Sequence, residues 1–237
     1  MIATGIIPAR YGSSRFPGKP LAQILGKSMI QRVYEQSVKC SKLSEVLVAT
    51  DDKRIYDHVI SFGGKVIMTS KKHISGTERC NEILEMHKNT NEIIVNIQGD
   101  EPYIHPKQIE EIINLFNSPK TQICTLVKEI TNHKTLKDTN TPKAIVDDNG
   151  MAINFCRHIN SSFSNNSFYK HIGLYGYRAK TLQNISKLRP SENEEKENLE
   201  QLRWIDNGYK IKVGITTYES ISVDVPEDIK IIEAKMR

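Results

Sequence analysis

The sequence predicts an α/β fold, a mostly parallel mixed sheet flanked by helices. Short runs rich in Ile and Val alternate with helical patterns through the first half of the chain, the order that builds a helix-covered sheet. Those runs are apolar at successive positions and not at every second one, as strands buried on both faces are.

Residues 2–7 read as the first strand and 28–39 as the first helix. EVLVAT, residues 45–50, is a second strand, and 52–62 a second helix that stops at Gly63-Gly64. A short strand follows over 65–68, a helix over 77–87, a strongly apolar strand over 92–98 and a helix over 105–116. The later part is less regular: TLVKEI, KAIVDD and HIGLYGYR read as strands. Residues 160–167 are rich in Ser and Asn with little apolar content to anchor them, so a mobile loop is expected there. Residues 191–208 read as one charged amphipathic helix, and a short terminal helix follows DVPED. No repeat and no long linker divides the chain, so one domain over 1–237 is expected.

With 237 residues, 38% hydrophobic and 26% charged, the composition is that of a folded globular protein. Basic and acidic residues are interspersed, so the net charge of +5 reads first as a solvated, Lys-rich surface. Clustered basic stripes with stacking aromatics are missing, which argues against a nucleic-acid partner. Cys40, Cys80, Cys124 and Cys156 are widely spaced without a CxxC pair. They are expected to be buried, reduced thiols, not a disulfide frame or zinc site. No leader pattern or long apolar run is seen, so a cytoplasmic protein with no membrane partner is expected.

In a parallel sheet, ligands sit at the carboxyl ends of strands. The opening loop, ATDD (49–52) and QGDEP (98–102) each follow a strand run and should converge on one edge. The opening stretch GIIPARYGSSRFPGKP lacks both the GxxxxGK[ST] and GxGxxG spacings. It offers Gly and Ser amides with Arg10, Arg15 and Lys19, a set that can surround a triphosphate. The other reading is a surface turn with solvated cations. Asp100 stands just beyond an apolar strand, where a carboxylate can meet a bound metal, or serve as a turn or cap residue. Asp224 follows a strand-like run, and Asp228 can favour the first turn of the terminal helix. In HISGTERC, Thr77 can cap the helix that follows.

Several blocks together resemble a known family: IIPARYGSSRFPGKPL, VATDD, SGTERC, VNIQGDEP, HIGLYGYR, LEQLR and VDVPEDI, in that order from near residue 2 to near 230. The chain resembles the nucleotidyltransferases that activate acidic sugars with CTP, most nearly the 3-deoxy-manno-octulosonate (Kdo) cytidylyltransferase family. The resemblance implies a Rossmann-like nucleotidyltransferase fold and a homodimer. The activity implied is transfer of CMP from CTP to a 2-keto sugar acid with release of pyrophosphate.

By resemblance, Pro8, Ala9, Arg10, Arg15, Lys19, Ser75, Gly76, Arg79 and Gln98 bind the nucleotide, with Lys19, Arg10 and Asp100 catalytic. Asp100 and Asp224 are the implied ligands of Mg2+. Gln98, Arg157, His171, Tyr175, Glu200 and Gln201 line the implied sugar pocket, in an acceptor-binding and dimerisation region near 120–210. Taken alone, His171 reads as a structural strand residue and Glu200 as a solvated helix position. After Arg157 the family continues with an Ile-Pro-aromatic segment and a further Arg, where this chain reads HINSSFSNNSF. The acceptor stays open among Kdo, its amino variant, another acidic ketose, a nonulosonic acid and a small phosphonate. A non-catalytic nucleotide-binding protein is the alternative of another class.

Overall fold

The computed structural model describes residues 3–13, 15–87, 92–159 and 167–236. Its first half alternates strand and helix as expected. Strand β1 (Ala3–Ala9) is followed by a small hairpin, β2 (Gln23–Ile24) and β3 (Lys27–Ser28), then α1 (Met29–Ser37). Next come β4 (Leu43–Thr50), α2 (Lys53–Ser61), β5 (Val66–Met68), α3 (Gly76–His87), β6 (Ile93–Asn96) and α4 (Pro106–Asn114). The second half runs β7 (Ile123–Glu129), α5 (His133–Lys137), β8 (Lys143–Val146), β9 (Ala152–Cys156), β10 (Phe168–Arg178) and α6 (Ala179–Ile185). It closes with α7 (Glu192–Glu197), α8 (Gln201–Asp206), β11 (Ile211–Ile215) and α9 (Asp228–Met236).

Nine strands form one sheet in the order β11-β7-β10-β6-β1-β4-β5, with β8 and β9 attached beside β10. β6, β1, β4 and β5 are mutually parallel, and β11 is parallel to β7. β10 runs antiparallel to β6, β7 and β8. The sheet is therefore mixed, as predicted. One apolar layer, including Ile7, Val48, Val95 and Ile112, packs beneath α1, α2 and α4. The other, including Ile6, Leu47, Ile94, Tyr177 and Trp204, packs beneath α3, α6 and α8. Strand residues of both layers are buried, which explains the continuous apolar runs.

Local chemistry sets the helix starts. The Ser28 hydroxyl accepts from the Gln31 amide at 3.2 Å, and the Asp52 carboxylate from the Arg54 amide at 2.9 Å. His105 and Gln108 form a reciprocal capping box on α4. A third, smaller cluster ties the two ends of the described chain together: Ile24 and Met29 pack with Val223 and Ile232.

Three expectations are corrected. Residues 191–208 are two helices and not one: Asn198 takes a left-handed conformation, φ 53°, that closes α7 before α8 begins. The run before Asp224 is not a strand, because residues 216–224 leave the sheet and cross to the ligand edge. Ser75, not Thr77, caps α3, its hydroxyl accepting from the Glu78 amide at 3.2 Å. The loop expected to be mobile falls, at 160–166, outside the described residues.

Candidate active site

The order of the sheet reverses at β1, whose neighbours β6 and β4 lead into opposite halves of the parallel set. A crevice at such a switch point, beyond the strand ends, is where open α/β sheets bind ligands. Here it is a cavity of about 260 Å³. All eleven residues assigned to nucleotide or metal line it: Pro8, Ala9, Arg10, Arg15, Lys19, Ser75, Gly76, Arg79, Gln98, Asp100 and Asp224. The three strand-end loops converge as expected, since Asp51, after β4, accepts from Arg79 at 2.9 Å.

Close backbone contact shapes the floor. A Cβ added at Gly99 would stand 2.8 Å from the Pro8 carbonyl oxygen, so only glycine lets the loop after β6 lie against the end of β1. The cation loop is braced from outside: the Gly18 amide donates to the Tyr11 carbonyl at 2.9 Å, and the Arg54 guanidinium stacks 3.3 Å from the Tyr11 ring centre.

At the centre is a cation between two carboxylates. Lys19 Nζ donates to Asp100 Oδ2 at 2.7 Å and to the Val223 carbonyl at 2.9 Å, and lies 4.0 Å from Asp224 Oδ1. Arg15 Nη2 donates to the same Asp224 oxygen at 2.9 Å. The two carboxylates thus face one another across a single ammonium. Asp228, in the first turn of α9, accepts from the Asp224 and Val225 amides at 2.8 and 3.0 Å and so holds the segment bearing Asp224. Among the described residues no group of three or more His, Cys, Asp and Glu gathers as a closed metal cage. An all-oxygen pair open to the cavity suits magnesium, which keeps waters and substrate phosphate oxygens beside one or two carboxylates.

Arg79 is 3% exposed, and its guanidinium is committed to Asp51, to the Thr69 hydroxyl and to the Ser70 carbonyl. Sequence reasoning left out Ser13, Pro20, His73, Ile74 and Gly99, which complete the lining. His73 lies within the quoted HISGTERC block, and its Nε2 pairs with Glu82 at 2.6 Å.

The residues assigned to the sugar are less united. Gln98 is in the cavity, and Glu200 is tied to its wall through the Thr77 hydroxyl, which donates at 2.9 Å. Burial pushes the Glu200 carboxyl up, against hydrogen bonds from Ser75 and Thr77. Tyr175 and Gln201 are buried behind it, Tyr175 edge-on to Trp204. His171 is a buried strand residue beside Phe155, hydrogen bonded to Thr125 at 3.1 Å, and burial holds its imidazole down at about 3. Arg157 does not reach the cavity. Its backbone and guanidinium bind Glu197, Thr139 and Asn140 instead.

A cation-rich loop facing two aspartates at the switch point of a mixed α/β sheet defines a nucleotidyltransferase. Residues 4–211 match the family model described as cytidylyltransferase. The chain is 52% identical to the 3-deoxy-manno-octulosonate cytidylyltransferase of Parabacteroides distasonis, across 95% of this chain and 94% of that one. It is 45% identical to the 8-amino-3,8-dideoxy-manno-octulosonate cytidylyltransferase of Shewanella piezotolerans, across 100% and 99%. A solved structure of CMP:2-keto-3-deoxy-manno-octonic acid synthetase complexed with CTP superposes with a TM-score of 0.90 at 39% identity, covering 100% and 98%. The chain belongs to the 3-deoxy-manno-octulosonate cytidylyltransferase family.

Proposed function

We propose that this enzyme transfers CMP from CTP to Kdo. The sugar's anomeric hydroxyl gives up its proton to solvent as its oxygen attacks the α-phosphorus in line, the bond to the bridging oxygen breaks, and pyrophosphate leaves. The single observation that carries this reading is the Lys19 ammonium held between Asp100 and Asp224 at the mouth of a cation loop. Arg10 and Arg15 are exposed at the cavity edge, where their guanidinium groups can fork onto phosphate oxygens. Lys19 supplies a point charge where the departing pyrophosphate gathers negative charge. Ser75, Gly76 and Arg79 offer main-chain groups and a fixed guanidinium to the edge of cytosine. Asp100 and Asp224 would hold magnesium, which when bound neutralises phosphate charge and acidifies the attacking hydroxyl.

A second reading has the 8-amino variant of the sugar as acceptor. It is favoured by the relative named for that sugar and by the altered segment after Arg157. The homodimer implied by the family resemblance, the role of the region near 120–210 in it, and a cytoplasmic location belong to the same proposal. Four unpaired, buried thiols suit a reducing compartment, and among the described residues no helix is long and apolar enough to cross a membrane.

Pyrophosphate release with each of the four nucleoside triphosphates, against Kdo and its 8-amino variant, tests the reading. CTP is expected to be strongly preferred, and Asp100→Asn to lose turnover while keeping its circular-dichroism spectrum. Equal use of UTP, or near-normal turnover in Asp100→Asn with magnesium present, would overturn it.

A further inference from the structure

Asp224 sits on a segment that no sheet ladder positions. Residues 216–224 lie outside every strand and helix, yet Asp224 must face Asp100 across Lys19. Side chains from elsewhere therefore have to set its place. Two lysines reach out from neighbouring register positions on β7 and β10. Lys128 donates to the Thr217 carbonyl at 3.0 Å, Lys170 donates to the Ser220 carbonyl at 2.7 Å, and both pair with Glu219 at 3.0 and 2.8 Å. These ties fix the outer end of the segment. Its inner end meets the QGDEP loop, where the Val223 amide donates to the Asp100 carbonyl at 2.9 Å.

Between the two ends is Glu101, the acid next to Asp100. It is 6% exposed, accepts a hydrogen bond from the Ser220 hydroxyl and lines a second cavity with Lys170 and His171. The Gly173 backbone of β10 stands against the same carboxyl. A Cβ at Gly173 would stand 3.1 Å from Gln98 Cγ and 3.4 Å from Glu101 Oε1, so that strand lies flush against the loop. One buried carboxyl thus joins β10, the loop bearing Asp100 and the segment bearing Asp224.

We propose that Glu101, working through Ser220, is the positioning residue that holds Asp100 and Asp224 in one register, so that the pair binds a divalent cation together. The inference rests on the reading of those aspartates as the metal pair. A buried carboxyl is costly unless hydrogen bonded; here the carboxyl belongs to the residue next to Asp100 and its Ser220 partner to the segment bearing Asp224. Groups that orient metal ligands from behind change metal affinity or activity by roughly 10–100-fold when removed.

The test uses Glu101→Ala, Glu101→Gln and Ser220→Ala, with Asp100→Asn as reference. Manganese(II) alone is titrated into each protein and followed by electron paramagnetic resonance, and pyrophosphate release is measured over a range of magnesium concentrations. Glu101→Ala is expected to weaken manganese binding and raise the half-saturating magnesium concentration, each by roughly 10-fold or more, with KM for CTP little changed. Ser220→Ala is expected to show a smaller loss of the same kind. Glu101→Gln keeps the shape and one acceptor oxygen, so it should recover most of the loss. Normal manganese binding and turnover in Glu101→Ala beside an inactive Asp100→Asn would overturn the clamp alone. Equal losses in Glu101→Gln and Glu101→Ala that follow only a fall in melting temperature would also overturn it. Normal binding and turnover in Asp100→Asn would overturn the reading of the pair, and the clamp with it.

Discussion

His171 illustrates how burial decides a residue's chemistry. Set beside Phe155 and Thr125 in the sheet, its imidazole is held down at about 3, whereas an unfolded chain protonates it near 6.5. Between those values the unfolded state binds the extra proton. Its contribution to stability is therefore intact above about pH 6.5 and is lost as pH falls toward 3, by up to about 1.4 kcal/mol per pH unit. Glu101, pushed by burial up to about 7, and Glu200, also raised by burial, act in the opposite sense. A comparison that leaves both in place isolates the histidine. The melting temperature of the wild type is expected to exceed that of His171→Asn most at pH 7.5, with the gap narrowing down to pH 4.5. A gap that stays constant with pH would show that His171 contributes by packing alone.

Regular elements were legible where one local signal decided them. β1, β4 and β6 are apolar on both faces, and the caps of α1 and α2 sit at residues 28 and 52, where the helices were expected to begin. The nucleotide-facing loops were legible for the same reason, because each follows such a strand. What stayed hidden depends on long-range contact. β9 and β11 pair with β8 and β7, and nothing local distinguishes their short mixed runs from loop. The break between α7 and α8 hides inside a helical pattern, because its cause is one αL residue and a bidentate Arg203–Glu194 pair, 2.6 Å at each contact, that folds α8 back on α7. The role of Asn198 predicts a specific ordering. Asn198→Ala should cost about 1 kcal/mol, because a Cβ without the Asn side chain's local hydrogen bonding disfavours φ 53°. Asn198→Gly should be close to neutral in urea unfolding. Equal costs for the two would show that the asparagine side chain itself, and not the turn, holds the break.

Across the whole molecule, the third apolar cluster joins the start of the chain to its far end. Ile24 and Met29 meet Val223 and Ile232, and the Leu25 amide donates to Glu233 at 3.1 Å. Ile232 is 0% exposed, and Ile232→Ala is expected to cost about 2–5 kcal/mol. That loss should fall first on the docking of α9, which shares few contacts with the main sheet. Hydrogen exchange is expected to quicken at Val223 while amides in β1 and β6 stay protected, and turnover should drop with them. Uniformly faster exchange would mean that α9 and the sheet open as one unit. The cluster also sets a timetable. A chain emerging from the ribosome carries Lys19 and Asp100 long before Asp224 exists, so a half-made protein can shape the nucleotide crevice but not its opposed acids. Competence arrives only when α9 docks onto residues made far earlier, so the pairing of the two acids waits on a contact between distant parts of the chain.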